Sequence, residues 1–192
     1  MNILLLGPQG SGKGTQARRI AGEHGIAQIA TGDMLRQAIA AETELGLQVK
    51  PIVDRGELVP DDLMIALIRE RLDDEDTREG FILDGFPRTM AQALALDAML
   101  AEIGRELDVV FELQIDDDVA IERLHKRAVE EGRTDDNSEA IARRLSEYHD
   151  KTEPLVGYYR LRGNLVGVHA DNPIDKVFGE IEEALQTVAA RS

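Results

Sequence analysis

The apolar run Ile3-Leu4-Leu5-Leu6 ends in Gly7-Pro8-Gln9-Gly10-Ser11-Gly12-Lys13, and a helical pattern begins at once. A buried strand must here turn into a helix through backbone almost bare of Cβ atoms. The segment fits G-x-x-x-x-G-K between a strand and a helix. Glycines let successive N–H groups point at one centre, and the start of the helix adds its positive end. Lys13 is the only lysine among the first 49 residues and brings a formal charge to that centre. A plain glycine-rich turn is the competing reading; the flanking strand and helix weigh against it. The loop is expected to hold an anion of several charges, a nucleoside triphosphate. Gly14 stands where the general motif has Ser or Thr on Mg²⁺, and Thr15 follows, so direct ligation of a metal by the loop stays open.

The same rhythm of apolar run and helical pattern continues. Asn2–Leu6, Ala27–Ala30, Gly80–Gly85, Val109–Ile115 and Asn164–His169 read as strands. Helices are expected over Lys13–His24, from a cap at Thr31 or Asp33, from a cap at Asp61 to about Leu72, and over Thr89–Ile103, Val119–Val129, about Glu139–Arg160 and Pro173–Val188. Asp73–Asp76 reads as a solvated loop. Nearly continuous apolar strands alternating with helices imply an α/β fold with a parallel five-stranded sheet covered on both faces. Ligands then lie at the carboxyl ends of the strands. Three polar clusters fall at that edge: the glycine loop, Thr31-Gly32-Asp33, and Asp84-Gly85-Phe86-Pro87-Arg88. Segments 31–60 and 127–137 interrupt the rhythm and read as insertions.

Composition narrows the chemistry. The 192 residues carry a net charge of −15, which disfavours nucleic acid as a partner. With no cysteine, disulfides and thiolate metal sites are excluded, which fits a reducing compartment. No apolar run reaches the roughly 18 residues of a membrane span. Met1 leads straight into a strand without a basic n-region, so no export signal is expected and the location is expected to be cytoplasmic. Of the basic residues, 17 are arginine and five are lysine. A GC-rich genome would explain that bias; so would arginines that grip phosphate with their planar fork of donors. The four histidines share no ligand spacing and read as surface or loop residues.

Gly10-Ser11-Gly12-Lys13-Gly14-Thr15-Gln16, Thr31-Gly32-Asp33-Met34-Leu35-Arg36, Asp84-Gly85-Phe86-Pro87-Arg88 and Gly132-Arg133-Thr134-Asp135-Asp136 occur in this order. Together they resemble the adenylate kinase family of nucleoside monophosphate kinases, in its short-lid form. Weaker matches continue through Arg143-Arg144-Leu145, Thr152-Glu153-Pro154-Leu155 and Tyr158-Tyr159. The resemblance covers essentially the whole chain. It implies one P-loop kinase domain over residues 1–192, with a monophosphate-binding insertion at 30–59 and a short lid at 126–136. The implied reaction is reversible: ATP plus AMP gives two ADP, with Mg²⁺, no covalent intermediate, and a monomeric enzyme as the working form.

The resemblance also assigns residues. Gly10, Ser11, Gly12, Lys13, Gly14, Thr15, Arg123, Arg127 and Asn172 would contact ATP. Thr31, Arg36, Glu57, Leu58, Val59, Gly85, Phe86, Pro87, Arg88, Gln92, Arg133 and Arg144 would contact AMP. Lys13, Arg88, Arg127, Arg133 and Arg144 would act on the transferring group. Asp84 would order the water shell of Mg²⁺, with Thr15 as a lesser candidate, and the lid acids Asp135 and Asp136 would hold arginines or the hinge geometry. Bringing two repelling phosphate chains together requires many cations, which gives the arginine set its physical sense. Arg143 is divided between a solvated charge and a role like that of Arg144. Arg69, Arg71, Arg78, Arg105 and Arg191 read as solvated.

Thr31 and Gln92 are the adenine-type residues; related uridylate and cytidylate kinases usually carry alanine and asparagine there. The Gln92 amide can both donate and accept across an adenine edge. AMP is therefore the expected acceptor, with UMP or CMP as the alternative. The lid is too short for the separate zinc-bearing form and has no cysteine for it. Two departures from the family pattern stand out: Pro8 comes one residue early in the loop, and Asn172 replaces a usual glycine. A nucleotide-dependent switch and a P-loop kinase of a small metabolite are the readings from other classes.

Overall fold

A computed structural model describes residues 1–132 and 136–190. Strands β1 (Asn2–Leu6), β2 (Ala27–Ala30), β3 (Phe81–Asp84), β4 (Val109–Gln114) and β5 (Leu165–His169) pair in parallel in the order β2-β3-β1-β4-β5. Register places Leu4 between Leu83 and Val110. Alternate side chains of β1 enter two separate cores, so a run of four apolar residues is needed where one-sided burial would need two.

Nine α-helices are formed among the described residues: α1 (Lys13–His24), α2 (Thr31–Ala40), α3 (Glu44–Asp54), α4 (Asp61–Leu72), α5 (Met90–Glu102), α6 (Asp117–Glu131), α7 (Ser138–Glu147), α8 (Pro154–Arg162) and α9 (Ile174–Ala189). On one face Ile3, Leu5, Ile82 and Phe111 meet Ala17 and Ile20 of α1 and Val177 and Ile181 of α9. On the other, Leu4, Leu6, Leu83 and Val110 meet Ile68 of α4, Leu96 of α5 and Tyr159 of α8. Leu35 of α2 and Val49 of α3 extend this second cluster. Leu124, Ile141 and Leu145 form a small third cluster between α6 and α7.

The structure departs from the expectations at helix ends. The helix expected over Glu139–Arg160 is broken: α7 ends at Glu147, a π turn covers Tyr148–Thr152, and α8 restarts at Pro154. Pro154 has no N–H to give the helical ladder and its ring crowds a preceding carbonyl, which favours an interruption here. Neither Thr31 nor Asp33 caps α2; Ala30 occupies that position without a side-chain cap. Thr31 is instead buried, and its hydroxyl donates to the Asp84 carbonyl. Asp61 is the first residue of α4 rather than its cap. Within Asp73–Asp76, Asp74 and Asp76 both pair with Arg71, whose side chain is largely covered. Arg105 stacks over the Phe81 ring at 4.8 Å, so these two arginines are not simply solvated.

Candidate active site

The glycine loop owes its path to steric necessity. Gly10 has φ +86°, and a Cβ there would stand 2.5 Å from the Ala120 carbonyl oxygen of α6. Gly12 precedes α1 at φ +91°, and no side chain caps that helix. The first amides of α1 therefore face the cleft as ready anion donors. Lys13 Nζ donates to the carbonyls of Gly7 at 2.7 Å and Pro8 at 2.8 Å. Burial lowers its pKa to about 8, against the pull of Asp84, with Arg88 and Arg127 lowering it further.

Asp84 ends β3 next to the loop. A Cβ on Gly14 would lie 3.4 Å from Asp84 Oδ2, an ordinary contact distance, which places this carboxylate beside the start of α1. One residue on, Gly85 has φ +88°, and a Cβ there would stand 2.5 Å from the Thr31 hydroxyl. That close approach lets Arg88 Nε fold back to donate to the Gly85 carbonyl at 2.7 Å. Burial pulls the Arg88 pKa down, Asp84 opposes it, and Arg144 and Arg36 add to the fall. Arg36 is ion-paired with Asp33 one turn before it.

Arg127 near the end of α6 and Arg144 on α7 converge on one carboxylate, Asp136, which has no exposed side-chain surface. Arg123 donates to the Ala170 carbonyl at 2.8 Å and so ties α6 to the loop after β5. In that loop the Asn172 amide donates to the His169 carbonyl at 3.2 Å and accepts from Lys176 at 3.1 Å.

These elements enclose a single cleft of about 750 Å³ along the carboxyl edge of the sheet. It brings together Gly10, Ser11, Gly12, Lys13, Gly14, Thr15, Thr31, Arg36, Glu57, Leu58, Val59, Asp84, Gly85, Arg88, Gln92, Arg123, Arg127, Arg144 and Asn172. Phe86 is not among them: its side chain is packed in the core at 1% exposure. Pro87 lines a small adjoining cavity of about 30 Å³ with Arg88, Arg144 and Tyr148. Arg133 and Asp135 lie outside the described residues. Arg18 and Lys126 also line the cleft, and sequence reasoning passed over both. Arg143 donates to Glu57 on the cleft wall while its side chain stays 47% exposed, and it does not itself line the cleft. Asp61, read only as a cap, holds the amide of Gln92.

A sequence profile of adenylate kinase matches residues 5–164. The chain belongs to the adenylate kinase family. It is 50% identical over 190 residues to the adenylate kinase of Caulobacter vibrioides (strain NA1000 / CB15N), covering 99% of this chain and all of that protein. The adenylate kinase of Stenotrophomonas maltophilia (strain R551-3) is 47% identical over 186 residues, covering 97% of this chain and 100% of the relative. That of Thermobifida fusca (strain YX) is 46% identical over 189 residues, with 98% and 100% covered. The general activity of adenylate kinases is phosphoryl transfer from ATP to AMP to give two ADP, which makes the chain a phosphotransferase. No described helix is long and apolar enough to cross a membrane.

Proposed function

We propose that the cleft binds ATP along the glycine loop and AMP in the recess around Thr31, Arg88 and Gln92, and passes the γ-phosphoryl group between them. The observation that carries this reading is the convergence of Lys13, Arg36, Arg88, Arg123, Arg127 and Arg144 on one cleft. A switch that reads one nucleotide has no use for so many cations around it. Lys13 and the amides of Ser11–Thr15 hold the donor phosphates. Arg36 and Arg88 hold the AMP phosphate, and Arg127, Arg144 and Arg133 neutralise charge on the transferring group. Arg123 and the 170–172 loop border the donor base. The backbone of 57–59 and the amide of Gln92 border the acceptor base. The insertion at 30–59 and the lid at 126–136 close over the two ends and exclude water.

Mg²⁺ fits this donor set. No group of three or more His, Cys, Asp or Glu side chains is gathered among the described residues, so a closed protein cage is not on offer. Mg²⁺ keeps several waters and binds through one or two carboxylates plus substrate phosphates. Asp84 supplies such a carboxylate, half-buried beside the loop, and Thr15 lines the same cleft. Bound there, Mg²⁺ supplies neutralisation of the donor's phosphate oxygens. Asp84 would hold the hydrated ion there, and Lys13 would grip the outer phosphates.

The test mixes the protein with ATP, Mg²⁺ and each monophosphate in turn and follows ADP. AMP is expected to react far faster than UMP, CMP or GMP. Arg144→Ala is expected to lose roughly 10³-fold or more in kcat, as arginines on transferring phosphoryl groups do, and Arg88→Ala a comparable factor in kcat/KM for AMP, because the acceptor phosphate loses its grip. ADP formation with UMP or CMP at the AMP rate would overturn the assignment of the acceptor.

A further inference from the structure

Gln92 is 2% exposed, and both ends of its amide are already engaged by protein. Its Oε1 accepts from the main-chain N–H of Arg88 at 2.8 Å. Its Nε2 donates to Asp61 Oδ1 at 2.8 Å. An amide seen alone is ambiguous, because its oxygen and nitrogen ends look alike. Here chemistry removes the ambiguity twice: a main-chain N–H can only donate, and a carboxylate can only accept. Thr89 completes the arrangement. Its hydroxyl accepts from Gln92 N at 3.2 Å, which caps α5, and donates to Asp61 Oδ1 at 3.0 Å. Asp61 is outside the lining of the cleft, so it acts on a bound base only through Gln92.

We propose that Asp61 is a specificity-positioning residue: by fixing the Gln92 amide in one orientation, it selects 6-aminopurine monophosphates over 6-oxopurine ones. After its two protein contacts, the amide retains one lone pair on Oε1 and one hydrogen on Nε2. That residual pair complements adenine, whose N6 amino group donates and whose N1 accepts. It opposes hypoxanthine and guanine, whose N1–H donates and whose O6 accepts. Reading a 6-oxopurine requires the amide to turn over. The turned amide faces its NH₂ toward the Arg88 N–H and its oxygen toward the Asp61 carboxylate. Both contacts change from attractive to repulsive, and the second sets oxygen against a charged oxygen. Without Asp61, only the Arg88 N–H resists the turn.

This inference rests on the reading that Gln92 meets the acceptor base, and the experiment separates the two. Steady-state kcat/KM is measured with AMP and with IMP for wild type, Asp61→Ala, Asp61→Asn and Gln92→Leu. The ratio of two substrates on one preparation does not depend on the fraction of protein folded, and Asp61→Leu serves as a second variant if Asp61→Ala does not fold. Asp61→Ala is expected to lower the AMP-over-IMP ratio at least tenfold. Asp61→Asn can both accept and donate, so its own amide can turn to meet a turned Gln92, and it is expected to lower the ratio as well, though by less than Asp61→Ala. Gln92→Leu is expected to collapse the ratio. A ratio for Asp61→Ala within twofold of wild type, with Gln92→Leu collapsed, overturns the role of Asp61. A ratio that survives Gln92→Leu overturns the underlying reading of the acceptor base.

Discussion

Asp136 accepts from Arg127 Nε at 2.8 Å, with its own side chain wholly covered. Its other oxygen takes Arg144, so one buried carboxylate sets the separation of two guanidinium groups from different helices. Removing one partner of a buried ionic group costs about 3–5 kcal/mol. Asp136→Ala is expected to lose stability of that order in urea titration. It is also expected to lower kcat more than tenfold at saturating nucleotide, because both arginines drift. A kcat within twofold of wild type would detach Asp136 from the chemistry.

Lys13 gives a pH signature. Its pKa is lowered to about 8 because burial penalises the ammonium. Polyphosphate favours the charged form, so binding raises that pKa and takes up a proton. Between pH 7 and pH 9 the apparent affinity for ATP is expected to weaken on the order of tenfold, as the free protein loses this charge. Calorimetry in buffers of differing ionisation enthalpy should report proton uptake near pH 8. Lys13→Arg, which stays charged, should flatten the profile. For the folded state the sign is opposite: the cost of the buried ammonium is full below about pH 8 and is relieved as pH rises toward 10.5.

Much of this was legible in the chain because it is written in short-range chemistry. The strand-loop-helix at residues 3–20, the acid closing β3 and the arginine after Pro87 are local patterns, and local patterns constrain backbone directly. What stayed hidden depends on distance. Asp61 looks like a helix cap because aspartate usually is one, and its partner lies 31 residues away. Phe86 sits inside the motif Asp84–Arg88, yet after the left-handed turn at Gly85 its ring lies in the core. The pairing of Arg143 with Glu57 spans 86 residues and depends on how α7 lies against the cleft wall.

Gly46 illustrates another hidden constraint. A Cβ there would stand 2.0 Å from the Ala38 carbonyl oxygen, so α2 and α3 cross with backbone nearly touching backbone. The Thr43 hydroxyl accepts from Gly46 N at 3.0 Å and fixes this corner. Overpacking of this kind typically costs about 1–3 kcal/mol. Gly46→Ala is expected to lower the unfolding midpoint and to raise KM for AMP, with KM for ATP nearly unmoved. An equal rise in both would show that α2 and α3 do not serve the acceptor end alone.

His149 ties two elements that flank the cleft. Its Nδ1 lies 2.9 Å from Glu153 Oε2, and its Nε2 lies 2.9 Å from Asp117 Oδ2 at the start of α6. Hydrogen bonds to Glu153 and then to Asp117 raise its pKa above the ordinary 6.5. A raised folded value contributes stability that is complete below the unfolded pKa and is lost as pH rises through the folded one. The ring is 42% exposed, so solvent screening holds the contribution below about 1 kcal/mol. Denaturation of wild type and His149→Gln at several pH values checks this. The wild-type advantage is expected to be largest near pH 6 and to shrink toward pH 9. An advantage that does not change with pH would mean that packing against Tyr148, whose ring meets His149 edge-on at 5.4 Å within the same turn, outweighs the charge.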